Sequence, residues 1–340
     1  MSQDIAAESG TASVDVETAA GIPEHGLFAR LAAEAFGTFV LVLGIVGTAT
    51  FNAVNNGQIL PVALAGGILV MGAIAAVGGV SGGHFNPAVT FGLTLAGRAT
   101  WRDLVPYWLA QLVGGTAAAA VMFSIIPDSF PALTGAADKA ALFQGTANGF
   151  GSHSPLAALT AGAAQQGGTP VEFSLWAALL VEVVVTAVFV GVILGVTSKR
   201  SKVTFAPVVI GLTLGAMLIV AWPVTNASLN PARSFASAVF GGGWTWGQLW
   251  LFVVAPLVGG ALAALFYRAF APVPALVQAE VGSAAGDDLG DEVREHDVVD
   301  DGAVPAASTV DENEGEWDGQ DADDATSGTD DAPKGDAPRA

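Results

Sequence analysis

The chain has 340 residues, 52% of them hydrophobic and only 13% charged, with a formal net charge of −19 and no cysteine. This balance is far from that of a soluble globular domain and points to a membrane protein, and the lack of cysteine excludes disulfides and thiolate chemistry. The charge sits at the ends: residues 1–26 hold five acids and no base, 271–340 hold twenty acids and three bases, and 27–270 hold six acids and nine bases (−5, −17 and +3).

Segment 1–26 is an acidic tail expected to be disordered, because it lacks the apolar surface that would offset ordering. It is unlike a cleavable signal. Its charge suits solubility in a very salty cytoplasm, a source also suggested by the scarcity of lysine (Lys139, Lys199, Lys202, Lys334); a partner-binding tail is the competing reading. The region 27–270 then offers six apolar stretches near the ~20 residues needed to cross a bilayer: 27–51, 59–80, 103–126, 172–196, 204–224 and 247–270. Two shorter stretches, 86–96 and 230–240, each begin with Asn-Pro after a Gly/Ser/Asn-rich turn. They read as re-entrant half-helices. The connection 127–170 is unusually long, which marks a functional or disordered loop. Segment 271–340 is a second acidic tail, read like the first.

Lys and Arg set the orientation. Arg30, Arg98, Arg102, Lys199, Arg200, Lys202 and Arg268 fall on one side of a six-span arrangement, and Lys139 on the other. Both termini are therefore expected in the cytoplasm of a multi-pass plasma-membrane protein. Trp101, Tyr107, Trp108, Trp244, Trp246, Trp250 and Tyr267 lie near span ends and read as interfacial anchors. Gly191/Gly195, Gly211/Gly215, Gly114-Gly115 and Gly259-Gly260 read as sites of close helix approach.

The sequence also repeats. Glu34 lies 52 residues before Asn86, and Glu182 lies 48 residues before Asn230. Each half reads span with acid, span, turn, Asn-Pro-Ala, span. Three spans per half force opposite orientations, so a shared site is expected at the midplane. Proline suits the first turn of a helix, and Asn before it suits the cap. Half-helices starting at Asn86-Pro87-Ala88 and Asn230-Pro231-Ala232 would bring two positive dipole ends together. That arrangement repels cations and leaves both Asn amides free to donate into a pore. The acids of the spans are costly in a membrane and so have a role. That role is either proton coupling or acceptance of hydrogen bonds from the re-entrant loops; the recurrence in both halves favours the second. His84 lines a mouth, buttresses its loop, or gates with pH. His25, His84, His153 and His296 do not cluster, so neither a metal nor a cofactor is expected.

Ala33-Glu34-Ala35-Phe36-Gly37-Thr38-Phe39, Ser81-Gly82-Gly83-His84-Phe85-Asn86-Pro87-Ala88-Val89-Thr90 and Pro223-Val224-Thr225-Asn226-Ala227-Ser228-Leu229-Asn230-Pro231-Ala232-Arg233-Ser234 resemble the aquaporins, among them the bacterial aquaporin Z-type water channels. The resemblance covers 27–270. It implies an all-α integral membrane fold of six transmembrane helices and two re-entrant half-helices in an inverted 3+3 repeat. It also implies a homotetramer, each subunit with its own pore for single-file water. The donors would be Asn86, Asn230 and Arg233. The acceptors would be the carbonyls of Gly82, Gly83, His84, Asn226, Ala227 and Ser228. Glu34 and Glu182 would be structural acids.

The family places an Arg at its narrowest point, here Arg233. The other three constriction positions align with Gly66, Leu218 and Ala227. Water-selective members carry an aromatic and a His there, and glycerol-conducting members carry aromatics with an acid after the Arg. Here neither pattern holds, and Ser234 follows the Arg. The expectation is a relaxed filter that also admits glycerol, urea or ammonia, unless Phe85, Trp222 or loop residues refill the gap. An ion-coupled secondary transporter also fits an inverted repeat with buried acids. A membrane enzyme is set aside for want of a catalytic constellation, and an adhesive role through 127–170 stays open. Nucleic acid is not an expected partner.

Overall fold

The computed structural model describes residues 25–164 and 167–270. The two tails read over 1–26 and 271–340 lie, apart from positions 25 and 26, outside these residues. All regular elements among the described residues are helical. In chain order they are α1 (Leu27–Val42), a π-turn (Leu43–Gly47), α2 (Thr48–Thr50), a 3-10 turn (Asn52–Asn55), α3 (Ile59–Ser81), α4 (Pro87–Leu95), α5 (Trp101–Ser124), α6 (Phe130–Thr134) and α7 (Lys139–Gln144). They continue with α8 (Pro155–Ala164), α9 (Leu175–Val196), α10 (Ala206–Thr225), α11 (Pro231–Gly241), α12 (Trp244–Gln248) and α13 (Leu251–Ala269). Six stretches of 20 to 26 residues are long and apolar enough to cross a membrane: Leu27–Thr50, Ile59–Ser81, Trp101–Ser124, Leu175–Val196, Ala206–Thr225 and Trp244–Ala269. Their outward sides carry exposed Leu, Val, Ile and Phe (Leu64, Ile68, Leu180, Val184, Leu212, Phe266), the surface that suits an apolar surrounding.

Packing follows the repeat. α1 packs on α3 and α5, and α9 packs on α10 and α13 in the same way; α3 and α10 join the halves. The half-helices cross over: α4 lies against α13 of the other half, and α11 against α5. Paired glycines make both contacts possible. A Cβ on Gly114 would collide with the backbone of Ala35, and one on Gly259 would stand 2.5 Å from the carbonyl oxygen of Val183. Ala35 and Val183 each follow a buried acid. The neighbouring Gly115 and Gly260 would put a Cβ 3.3 Å from Ala232 O and 2.6 Å from Ala88 O, the alanines of the two Asn-Pro-Ala turns. One glycine of each pair thus receives its own half's first span, and the next receives the opposite half-helix.

Two sequence readings are corrected here. Gly211/Gly215 do face α3, with a Cβ on Gly215 falling 3.1 Å from Ala63 O, but among the described residues of one chain no atom lies within 4 Å of the Cβ positions of Gly191 and Gly195. Tyr107 is not an interfacial anchor: it is buried and its hydroxyl donates to Ser81 O at 2.9 Å, because α5 turns that face toward the first re-entrant loop.

Gly260→Ala drives a methyl into backbone that cannot rotate away. It is expected to destabilise by about 1–3 kcal/mol, whereas Gly191→Ala stays within about 0.5 kcal/mol. Thermal unfolding of the detergent-purified variants, followed by size exclusion, checks this.

Candidate functional site

The two re-entrant loops share one backbone. Positive φ occurs four, three and one residues before the capping Asn in both: Gly82 (93°), Gly83 (66°) and Phe85 (52°) in the first, Asn226 (62°), Ala227 (50°) and Leu229 (51°) in the second. Glycine accepts this conformation freely; Phe85, Ala227 and Leu229 are each held in it at a cost of about 1–2 kcal/mol.

This backbone aims loop amides at the buried acids. Glu34 Oε1 accepts from Ser81 Oγ at 2.7 Å and His84 N at 2.9 Å, and Oε2 accepts from Phe85 N at 2.7 Å and Gln111 Nε2 at 2.7 Å. Glu182 Oε1 accepts from Thr225 Oγ1 at 2.6 Å and Ser228 N at 2.8 Å, and Oε2 accepts from Leu229 N at 3.0 Å. Both acids have no exposed surface. In each half the donors lie five, two and one residues before the Asn. Gln111 is an addition of the first half; it also donates to Thr90 Oγ1 at 2.9 Å.

Each Asn caps its half-helix. Asn86 Oδ1 accepts from Ala88 N at 2.8 Å, and Asn230 Oδ1 from Ala232 N at 2.9 Å and Arg233 N at 3.3 Å. Pro87 and Pro231 occupy the first helical position. The amides are not wholly free, which corrects the sequence reading. Asn86 Nδ2 donates to Leu229 O at 2.8 Å, and Asn230 Nδ2 to Phe85 O at 2.9 Å. One N–H of each amide therefore ties the halves together, and one remains.

Two cavities flank this centre. The larger, about 510 Å³, is bordered by Thr50, Ala147, His153, Trp222, Asn226 and Trp244 on the side of the long connection. The smaller, about 240 Å³, is bordered by Gly82, Gly83, His84, Asn86, Arg98 and Phe189 on the side where α1 begins and α13 ends. Neither is bordered by Gly66, Leu218, Ala227 or Arg233, all of which are buried. His84 braces its loop, with Nδ1 3.2 Å from Thr90 Oγ1 and its ring edge-on to Tyr107.

Among the described residues the carbonyls of Gly82, Gly83, His84, Ala227 and Ser228 take no hydrogen bond from the protein. The carbonyl of Asn226 differs from expectation. It accepts from Asn148 Nδ2 at 2.9 Å and Arg233 Nη2 at 3.1 Å, so both its lone pairs are used.

Asn148 comes from the long connection and was not singled out in the sequence. Its Oδ1 accepts from Arg233 Nη1 at 2.5 Å and Ser234 Oγ at 2.7 Å, while its Nδ2 also donates to Thr225 O at 3.0 Å. Asn226 Nδ2 returns the link to Gly145 O at 3.1 Å and Ala147 O at 2.9 Å. The connection thus reaches inward and clamps the guanidinium. Arg233 is 1% exposed, and its Nε has no partner among the described residues. Nothing in a polar loop marks one Asn as the clamp; Gln111, an amide inside an apolar span, did carry a readable signal.

The neighbours of Gly66 are Ile45 and Leu218, not Phe85 or Trp222. Phe85 packs against Gly37, and Trp222 borders the larger cavity. A Cβ on Gly66 would meet Ile45 Cγ1 at 2.7 Å and Leu218 Cδ1 at 3.2 Å. Among the described residues no group of three His, Asp or Glu is placed to hold a metal.

Glu182→Ala would strand two loop amides and a hydroxyl, each at about 1–3 kcal/mol. Glu182→Gln keeps one oxygen acceptor but turns an N–H2 toward donors. Thermal stability in detergent is expected to fall in the order wild type, Gln, Ala; equal stability of the three would show the carboxylate to be dispensable.

The chain matches the family model described as "Major intrinsic protein" over residues 24–267. Its fold is similar to the X-ray structure of the aquaglyceroporin from Plasmodium falciparum, with a TM-score of 0.58 and 22% identity over 75% of this chain and 100% of that one. An inverted six-span repeat whose two Asn-Pro-Ala half-helices meet between two cavities, matched by that model over most of its length, belongs to the major intrinsic protein family, the membrane channels for water and small solutes.

Proposed function

We propose that the chain is a passive water channel of the plasma membrane, a homotetramer with one pore per subunit and both termini in the cytoplasm. The meeting of α4 and α11 between the two cavities carries this reading. Two helix N-termini place positive potential there, and each capping Asn keeps one N–H to donate. Water crossing that point donates outward to carbonyls on both sides, which breaks a proton wire. Gly82, Gly83 and His84 supply acceptors on one side, and Ala227 and Ser228 on the other. Buried Arg233 follows the second Asn-Pro-Ala turn, and its Nε–H has no partner among the described residues. In this reading that donor serves the permeant, and the charge repels cations.

The acids act as partners for the loop backbone. Their neighbours are all donors. A proton-coupled transporter would instead need an acceptor route to them. The lysines and arginines grouped on the terminal side support cytoplasmic termini.

A second reading has its own observation. Gly66, Leu218 and Ala227 offer an aliphatic wall with no aromatic or imidazole, which favours small neutral solutes such as glycerol, urea or ammonia beside water.

Stopped-flow light scattering on proteoliposomes tests both. A sucrose challenge is expected to shrink them many times faster than empty liposomes; no acceleration would overturn the channel reading. Re-swelling in glycerol at the empty-liposome rate would leave water alone, and fast re-swelling would establish the second reading. Arg233→Ala is expected to raise glycerol permeability relative to water in the same assay.

A further inference from the structure

The first span is not one regular helix. Its turn at Leu43–Gly47 is π-wound. Such turns are rare, widen the helix by one residue, and persist where packing holds them. Both flanks are held here. A Cβ on Gly44 would lie 3.0 Å from Ala65 O, and one on Gly47 would lie 3.3 Å from Met122 Sδ. Between these two close approaches Ile45 is buried, 2% exposed.

Its side chain goes where Gly66 has none. The point a Gly66 Cβ would occupy lies 2.7 Å from Ile45 Cγ1, 3.4 Å from Ile45 Cδ1 and 3.2 Å from Leu218 Cδ1. Two of the positions aligned with the family's constriction therefore close on a residue of a third helix. Ile is branched at Cβ and stiff at χ1, so its side chain does not swing aside from that space.

We infer that Ile45 is a specificity-determining residue of the conduit, the π-turn holding its side chain in the space that Gly66 leaves and so setting the width and the aliphatic character of the constriction. This rests on the channel reading above. Two consequences follow. Shortening Ile45 widens the passage without any change at Gly66. A side chain at Gly66 is tolerated only when Ile45 is shortened, so the two sites are coupled.

The test uses the full chain in proteoliposomes as wild type, Ile45→Ala, Gly66→Ala and the double variant. Water and glycerol permeabilities come from stopped-flow, and folding from size exclusion in detergent. Ile45→Ala is expected to raise the glycerol-to-water ratio by about ten-fold or more, the scale at which one or two methylenes discriminate between ligands. Gly66→Ala alone is expected to lower the yield of folded protein or its water permeability, and the double variant to recover both. A folded, conducting Ile45→Ala with the wild-type ratio overturns the inference. So does a Gly66→Ala defect that Ile45→Ala does not relieve. A wild type that fails to accelerate osmotic shrinkage sinks the channel reading and this inference with it, an outcome distinct from a conducting wild type with an unchanged ratio.

Discussion

A chain that turns back halfway through a bilayer leaves peptide groups where no water reaches them. Each unpaired group there costs several kcal/mol, and the structure is arranged around meeting that demand. The amides of His84 and Phe85 go to Glu34, and those of Ser228 and Leu229 go to Glu182. For adjacent amides to face one carboxylate, the loop must enter left-handed backbone three times. Gly82 and Gly83 accept this freely, but Ala227 and Leu229 do not. The hydrogen bonds to Glu182 offset a strain of about 1–2 kcal/mol at each of these two residues. The acids therefore hold the loops open, and the loops in turn fix where each Asn cap begins its helix.

The halves are not two separate lobes. Each half-helix lies on the third span of the other half, and each capping Asn donates to the opposite loop's carbonyl. Displacing one loop disturbs both caps. That interlock gives a rigid frame at the centre, so small side chains there do not collapse it. In the proposed channel, discrimination can rest on the frame and on the few residues that project from it.

Much of this frame was legible. Two acids in apolar helices, two Asn-Pro-Ala turns and matched spacing gave the six spans, the inversion and the acid-to-loop pairing, because each is written in local sequence with a period. The misreadings arose where a contact joins elements far apart in the chain. GxxxG spacing marks Gly191 and Gly195 as well as Gly211 and Gly215, yet among the described residues of one chain only the second pair meets a helix. Aromatic position near a span end marked Tyr107 as an anchor, though its hydroxyl is committed to Ser81. Asn148 and Ile45 gave no signal. One depends on how a long connection folds inward, and the other on a π-turn that alters which face α1 presents.

The symmetric frame carries asymmetric contents. The residue four after the capping Asn is a hydroxyl in both halves, Thr90 and Ser234, and each is bonded to a side-chain amide. In the first half that amide is Gln111 of α5; in the second it is Asn148 of the long connection. One position earlier the halves diverge fully, with buried Val89 in one and buried Arg233 in the other. Repetition accounts for the half-helices and their caps, and the one-off pair Arg233–Asn148 distinguishes the two sides of the centre. A guanidinium this deep, with Nε lacking a partner among the described residues, would be costly in a dry interior. In the proposed channel a permeant supplies the missing acceptor. That donor favours a wet passage at this depth, as does the family to which the chain belongs.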